Sequence, residues 1–219
     1  MSEGLQEGAW KGKSVFILGG GPSLRGIDTI TLASRGEITL GLNMAFLHNP
    51  TATLIYDKRC MERVSMEESW KNYRGFKVWL NYEDQGMPFD SFSQTRQLRE
   101  YVTNPYTRRW PKAMSEGLYR GNNAGTAGIC LADVLGAETI YLLGYDMSVE
   151  AGKPANWHSL YPEEWQAKQS TIKAYREDIE RIKGSVRARV VNVTPGSALN
   201  AFPKDTLGHV LEMKEPCQK

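Results

Sequence analysis

Three observations predict a three-layer α/β fold built on a mostly parallel sheet. Short apolar runs recur along the chain, helical stretches separate most of them, and the runs end on glycine, asparagine or aspartate. In an open parallel sheet, ligands settle outside the carboxyl ends of the strands, so polar residues collected there mark a candidate site. With 219 residues, 41% of them hydrophobic, the chain can bury one substantial core, and no linker divides it into balanced halves.

The first run, Val15 to Leu18, reads as a buried strand followed by Gly19-Gly20-Gly21. Lacking Cβ atoms, these glycines let backbone N–H groups approach an anion; Pro22 suits a first helical turn, and Ser23 can cap it or bond a phosphate. The same triplet also fits a tight turn with no ligand. It lacks the Gly-Lys-Ser/Thr ending of a P-loop and the spaced glycines of a dinucleotide fingerprint, which disfavours a nicotinamide dehydrogenase or an ordinary P-loop kinase. Ile38 to Leu42 is a second strand ending at Asn43, and Thr53 to Tyr56 a third ending at Asp57. Asp57 either lines a pocket with Gly19–Gly21 and Asn43 or caps a loop or helix.

Glu62 to Trp70 can be a helix and Phe76 to Leu80 a fourth strand. From Asn81 to Tyr119 the rhythm fails: Pro88, Pro105 and Pro111 lie among Arg108, Arg109 and Trp110, which suits a lid-like insertion over the sheet edge or a long loop packed on its domain. Small residues from Gly121 to Gly128 then precede an apolar helix, Ile129 to Leu135, with Asn122, Asn123 and Thr126 as uncharged hydrogen-bonding groups near its start. Thr139 to Leu143 is a buried strand closing at Gly144-Tyr145-Asp146. Asn156-Trp157-His158-Ser159 forms a loop before a long amphipathic helix, Glu163 to Lys183; Arg189 to Val193 is a last strand, Thr194 to Ser197 a turn, and Glu212 to Lys219 a frayed tail. The economical architecture is a single Rossmann-like nucleotide-binding domain over residues 1–219, with 81–119 as the insertion.

Charge does not point to nucleic acid, since 27 Lys and Arg balance 25 Asp and Glu. Neither a signal peptide nor a membrane span is legible, so a cytoplasmic location is expected. Cys60, Cys130 and Cys217 are too widely spaced for a zinc site or a disulfide framework. His48, His158 and His209 are the only histidines, and His158 alone lies just beyond a strand-end aspartate, where an imidazole suits proton transfer near neutral pH; a solvated or structural role is the plainer reading.

The order of these motifs resembles a family. Phe-Ile-Leu-Gly-Gly-Gly-Pro-Ser-Leu, an Asn after the second strand, Gly-Ala-Glu-Thr-Ile-Tyr-Leu-Leu-Gly-Tyr-Asp, Trp-His-Ser, and Asn-Val-Thr-Pro-Gly-Ser-Ala-Leu-Asn-Ala-Phe together resemble the single-domain, Rossmann-like bacterial sialyltransferases, over about Val15 to Phe202. The resemblance implies transfer of a sugar from a CMP-sugar donor to an acceptor hydroxyl, with no further cofactor. It places the donor on Gly19, Gly21, Pro22, Ser23 and Asn43, with Pro195, Gly196 and Ser197 as a later phosphate- or base-contacting turn; the reading of the residues themselves adds Gly20 of the bend, Asn123, Gly125 and Thr126 as a second wall, and the strand-end Asp146. The resemblance makes His158 the general base, with Tyr145 or Tyr161 assisting the leaving phosphate. Gly20 stands where the family usually has Asn, and Asn123-Ala124-Gly125 where it has Thr-Ser-Gly. The chain is also similar to the 6-hydroxymethylpterin diphosphokinase-like proteins, common in phage and bacterial chains, which implies ATP, Mg²⁺ and a metal-linked role for Asp57 and Asp146. A nucleotide-binding module without catalysis is the third reading.

Overall fold

Alternation within each apolar run decides which way the strands face. In β1 (Ser14–Leu18), Val15 and Ile17 enter one cluster while Phe16 and Leu18 enter another on the opposite face, the period of two that a pleated strand imposes. The computed structural model describes residues 5–56, 58–81, 95–99, 109–119, 121–150 and 152–214. Besides β1, the strands are β2 (Ile38–Leu42), β3 (Ala52–Ile55), β4 (Phe76–Asn81), β5 (Thr95–Arg99), β6 (Thr139–Leu143) and β7 (Arg189–Asn192). They form one seven-stranded sheet in the order β5-β4-β3-β2-β1-β6-β7. Every pair is parallel, the arrangement expected when strands buried on both faces read as continuous apolar runs. The α/β Rossmann-like fold read from the sequence is the fold observed.

Helices cover both faces. On one, α4 (Ala124–Val134) and α5 (Gln169–Ile182) bury Ile129, Leu131 and Ile179 against Ile17, Leu40, Leu54 and Ile140. On the other, α1 (Thr29–Ser34) and α6 (Leu207–Met213) contribute Leu32 and Val210 to the cluster around Phe16 and Leu18. There, too, α2 (Lys58–Ser65) and α3 (Glu68–Asn72) pack Met61, Val64 and Trp70 against Ile55 and Trp79. Burying aliphatic side chains of this size contributes about 1.5–3 kcal/mol each. Among the described residues, no helix is long and apolar enough to cross a membrane.

The structure corrects several boundaries, among them the start of the apolar helix expected at Ile129, which lies at Ala124, capped by Asn123. The helix expected over Glu62 to Trp70 is two helices, because the chain turns at Met66 and Glu67 so that Trp70 can join Met61 and Val64 in one cluster. The helix expected from Glu163 begins only at Gln169, after a 3-10 turn at Glu163–Trp165. Glu212 and Met213, expected in a frayed tail, belong to α6; residues 215–219 lie outside the described residues. The expected insertion contributes a strand, β5, to the sheet edge; residues 82–94 and 100–108, with Arg108, lie outside the described residues. At the end of this segment Trp110 packs on Tyr119 and donates Nε1–H to Asp133 of α4 at 2.8 Å. Asp133, buried inside an apolar helix, also accepts from the backbone of Arg187 and Ala188 and from the Arg187 guanidinium, so one carboxylate ties three separated segments together.

Candidate functional site

Strand order reverses beside β1, whose neighbours β2 and β6 come from different halves of the chain. The crevice at the carboxyl ends of β1 and β6 is therefore the topological switch point, where open α/β sheets hold ligands. A cavity of about 590 Å³ opens there, a size suited to a drug-sized or nucleotide-sized molecule. It is lined by Gly19, Gly20, Gly21, Asn43, Asn123, Gly125, Asp146 and His158, among others.

The glycine bend divides its duties. Gly19 N–H donates to Leu143 O at 2.7 Å and Gly21 N–H to Gly144 O at 2.8 Å, so both are consumed in closing the bend against the end of β6. A Cβ on Gly19 would stand 2.6 Å from Gly144 O; one on Gly21 would stand 2.7 Å from it and overlap the Asp146 carboxylate. Gly20 differs: its N–H has no partner among the described residues, and a Cβ there would meet nothing closer than Asn156 Oδ1 at 3.4 Å. The expected cradle of several amides is thus one free amide on a rigid bend. Pro22 and Ser23 open a 3-10 turn, Pro22–Gly26, and Ser23 is turned away from phosphate duty, giving its N–H to Asp146 Oδ1 at 3.0 Å and its hydroxyl to Oδ2 at 2.7 Å.

Asn43 follows β2 with φ of 53°, a left-handed backbone that asparagine tolerates better than most residues. Asn43 lines the cavity together with Gly20, each following the carboxyl end of one of the paired strands β2 and β1. Its Oδ1 accepts Tyr56 N–H at 2.9 Å; that fixed donor identifies the amide orientation and leaves Nδ2 without a partner among the described residues. Asp57 lies outside the described residues.

His158 reaches the same cavity because its loop is docked on the glycine bend. Trp157 N–H donates to Gly20 O at 3.1 Å, and Arg25 Nε donates to Trp157 O at 3.0 Å. The imidazole is buried, edge-on to Trp157 and Tyr161, with ring centroids 5.0 and 4.5 Å away. Leu160 N–H donates to its Nδ1 at 3.2 Å, so the neutral ring carries its hydrogen on Nε2. Burial pushes its pKa down to about 4, with Arg63 and His48 adding to the effect. A group depressed in the fold supports stability above its unfolded pKa and loses that support as pH falls. We therefore expect the melting temperature to drop between about pH 6.5 and about pH 4, by less in His158→Gln. After discounting for solvent screening the difference corresponds to about 2 kcal/mol. Parallel melting curves for the two proteins would contradict it.

Of the remaining expected residues, Thr126 and the 195–197 turn stand behind the lining, whereas Tyr145 and Tyr161 are part of it. Thr126 gives its N–H to Asn123 Oδ1, capping α4, and its hydroxyl to Asp178 at 2.8 Å. Pro195, Gly196 and Ser197 do not line the cavity; Ser197 donates to Tyr145 O at 2.5 Å and Ala198 N–H to Asp146 O at 2.8 Å, bracing the end of β6. Tyr145 is committed to Gly125 O at 3.1 Å, and burial pushes its hydroxyl pKa up. Tyr161 lines the cavity with its hydroxyl 3.5 Å from Cys60 Sγ.

Sequence reading missed two features. One is the rest of the aromatic wall, where Tyr56, Trp165 and Tyr175 join the expected Tyr161, with the Arg59 guanidinium 5.3 Å from the Trp165 ring. The other is Asp178, wholly buried on α5, which accepts from Asn122 N–H, Thr126 Oγ1 and Arg181 and so fixes the wall that carries Asn122 and Asn123. Arg59 and Asp146 are the charged lining residues, so the described cavity is close to neutral. No family model, curated protein or solved structure matches this chain.

Proposed function

We propose that the chain is a transferase that uses a nucleotide-sugar donor of the CMP-sugar class and passes the sugar to an acceptor hydroxyl. The observation that carries this reading is the sharing of one cavity by the glycine bend, Asn43 and His158, with the histidine loop bonded directly to Gly20. In this reading the donor's phosphate lies by Gly20 and Asn43, the aromatic wall supports a base or sugar ring, and His158 stands at the reacting centre. A general-base role needs Nε2 without its hydrogen, which requires the ring first to release Leu160 N–H. A cytoplasmic setting fits the buried thiols Cys60 and Cys130, neither of them in a disulfide.

The second reading, a Mg²⁺-dependent diphosphokinase, draws on the Asp146 carboxylate at the cavity edge. Among the described residues, however, no three metal-ligating side chains gather. The experiment is a thermal-shift panel with CMP, UDP, GDP and ATP, each with and without Mg²⁺. Saturation at a hundred times Kd stabilises a folded protein by about 2.7 kcal/mol. We expect CMP to raise the melting temperature without metal; a shift with ATP only in the presence of Mg²⁺ would favour the diphosphokinase, and no shift with any nucleotide would remove both readings. His158→Ala should still show a CMP shift, reduced by the contact it loses, and should lose release of CMP from a CMP-sugar; full release would mean a different catalytic group, and no release by the unmodified protein would leave a binding module.

A further inference from the structure

We propose that Gly20 N–H, Asn43 Nδ2–H and His158 Nε2–H form one set of uncharged hydrogen-bond donors for the departing phosphate, and that His158 serves the reaction as a donor instead of a base. The proposal deepens the transferase reading and rests on it. Each group was left available by a separate structural commitment. Gly19 and Gly21 spend their amides on β6, which leaves Gly20; Asn43 spends Oδ1 on Tyr56 N–H, which leaves the amide nitrogen; His158 spends Nδ1 on Leu160 N–H, which puts the ring hydrogen on Nε2. None of the three donors has a partner among the described residues. Unlike Nε2 of His48, which is sealed from solvent without a partner, Nε2 of His158 is not cut off from the cavity its residue lines.

Their placement is fixed by backbone. Gly20 and Asn43 follow the carboxyl ends of the paired strands β1 and β2 and line one cavity, and the loop holding His158 is bonded to the carbonyl of Gly20. A phosphate is the ligand that such a set fits: several acceptor oxygens meeting preorganised neutral donors in a partly enclosed site, where each hydrogen bond is worth more than in water. In the step itself the bond from the anomeric carbon to the phosphate oxygen breaks and its electron pair leaves with the phosphate. The acceptor oxygen forms the new bond to that carbon, and the acceptor's proton passes to the departing phosphate. His158 keeps its own proton throughout and lowers the charge on the leaving oxygens, as a neutral electrophilic histidine does.

Calorimetric titration with CMP and with cytidine reads the donor set directly. CMP should bind at least about tenfold more tightly than cytidine, and Asn43→Asp, which keeps an acceptor for Tyr56 N–H but turns a donor into an anion, should erase the difference. CMP and cytidine binding alike would overturn the donor set while leaving a nucleoside site in place; binding of neither would sink the transferase reading beneath it. For His158, the glutamine variant should release CMP from a CMP-sugar measurably faster than the alanine variant, because its amide restores an N–H donor but no base; equal loss in both would overturn the donor role. Side-chain ¹⁵N shifts of the unmodified protein give an answer independent of any variant: hydrogen on Nε2 is expected, and hydrogen on Nδ1 would contradict the assignment.

Discussion

Asp178→Ala should lower stability by about 3–5 kcal/mol, measured as the shift of the urea midpoint at unchanged slope. The residue is fully buried on α5 yet accepts from Asn122 N–H, the Thr126 hydroxyl and the Arg181 guanidinium, each within 3.0 Å. Removing it strands a buried hydroxyl and an amide and leaves Arg181 without this carboxylate, and stranded partners dominate such losses. Asp178→Asn keeps the size and one acceptor oxygen, so it should cost roughly half as much. The damage should also reach the site, since Asn122 and Asn123 hold their cavity wall through this carboxylate. A loss under about 1 kcal/mol in the alanine variant would mean that the wall stands without it.

The second large effect separates two neighbouring glycines. Gly21→Ala should destabilise the fold by about 3 kcal/mol or fail to give soluble protein, because the added Cβ would fall on the Asp146 carboxylate and 2.7 Å from Gly144 O. Gly20→Ala should change stability by no more than about 0.5 kcal/mol, since its Cβ has ordinary contact with Asn156 Oδ1 at 3.4 Å. Its cost should fall on ligand instead, about tenfold in CMP affinity, because the methyl group enters the cavity beside the one free amide of the bend. Chemical denaturation and calorimetry on the two variants check the pair. Equal tolerance of alanine at both positions would show that the triplet is neither packed nor used as described.

The parallel core was legible because each strand announces itself locally: Ser14–Leu18, Ile38–Leu42, Phe76–Asn81 and Thr139–Leu143 are apolar runs bounded by polar or glycine residues, and period two decides their faces. Strand β5, Thr-Arg-Gln-Leu-Arg, carries no such signature; it is an edge strand recruited by β4, and pairing with a neighbour decided its state. Nothing in the local sequence marks Asp133 or Asp178 for burial; tertiary contact with Arg187 and with the Asn122–Thr126 segment is what makes them buried struts. The strand-end residues of the site could be read from the sequence, since strand ends in an open sheet share one edge. Which of their atoms remain available could not, because that depends on distant partners such as Leu143 O, Tyr56 N–H and Leu160 N–H.

Amide chemical-shift mapping during a CMP titration tests most directly whether the crevice between β1 and β6 is where a nucleotide binds. The perturbed amides should center on Gly20, Asn43 and residues 156–158, which come together only at that crevice. Perturbations gathered on another face of the molecule, with these amides unmoved at saturation, would contradict the account.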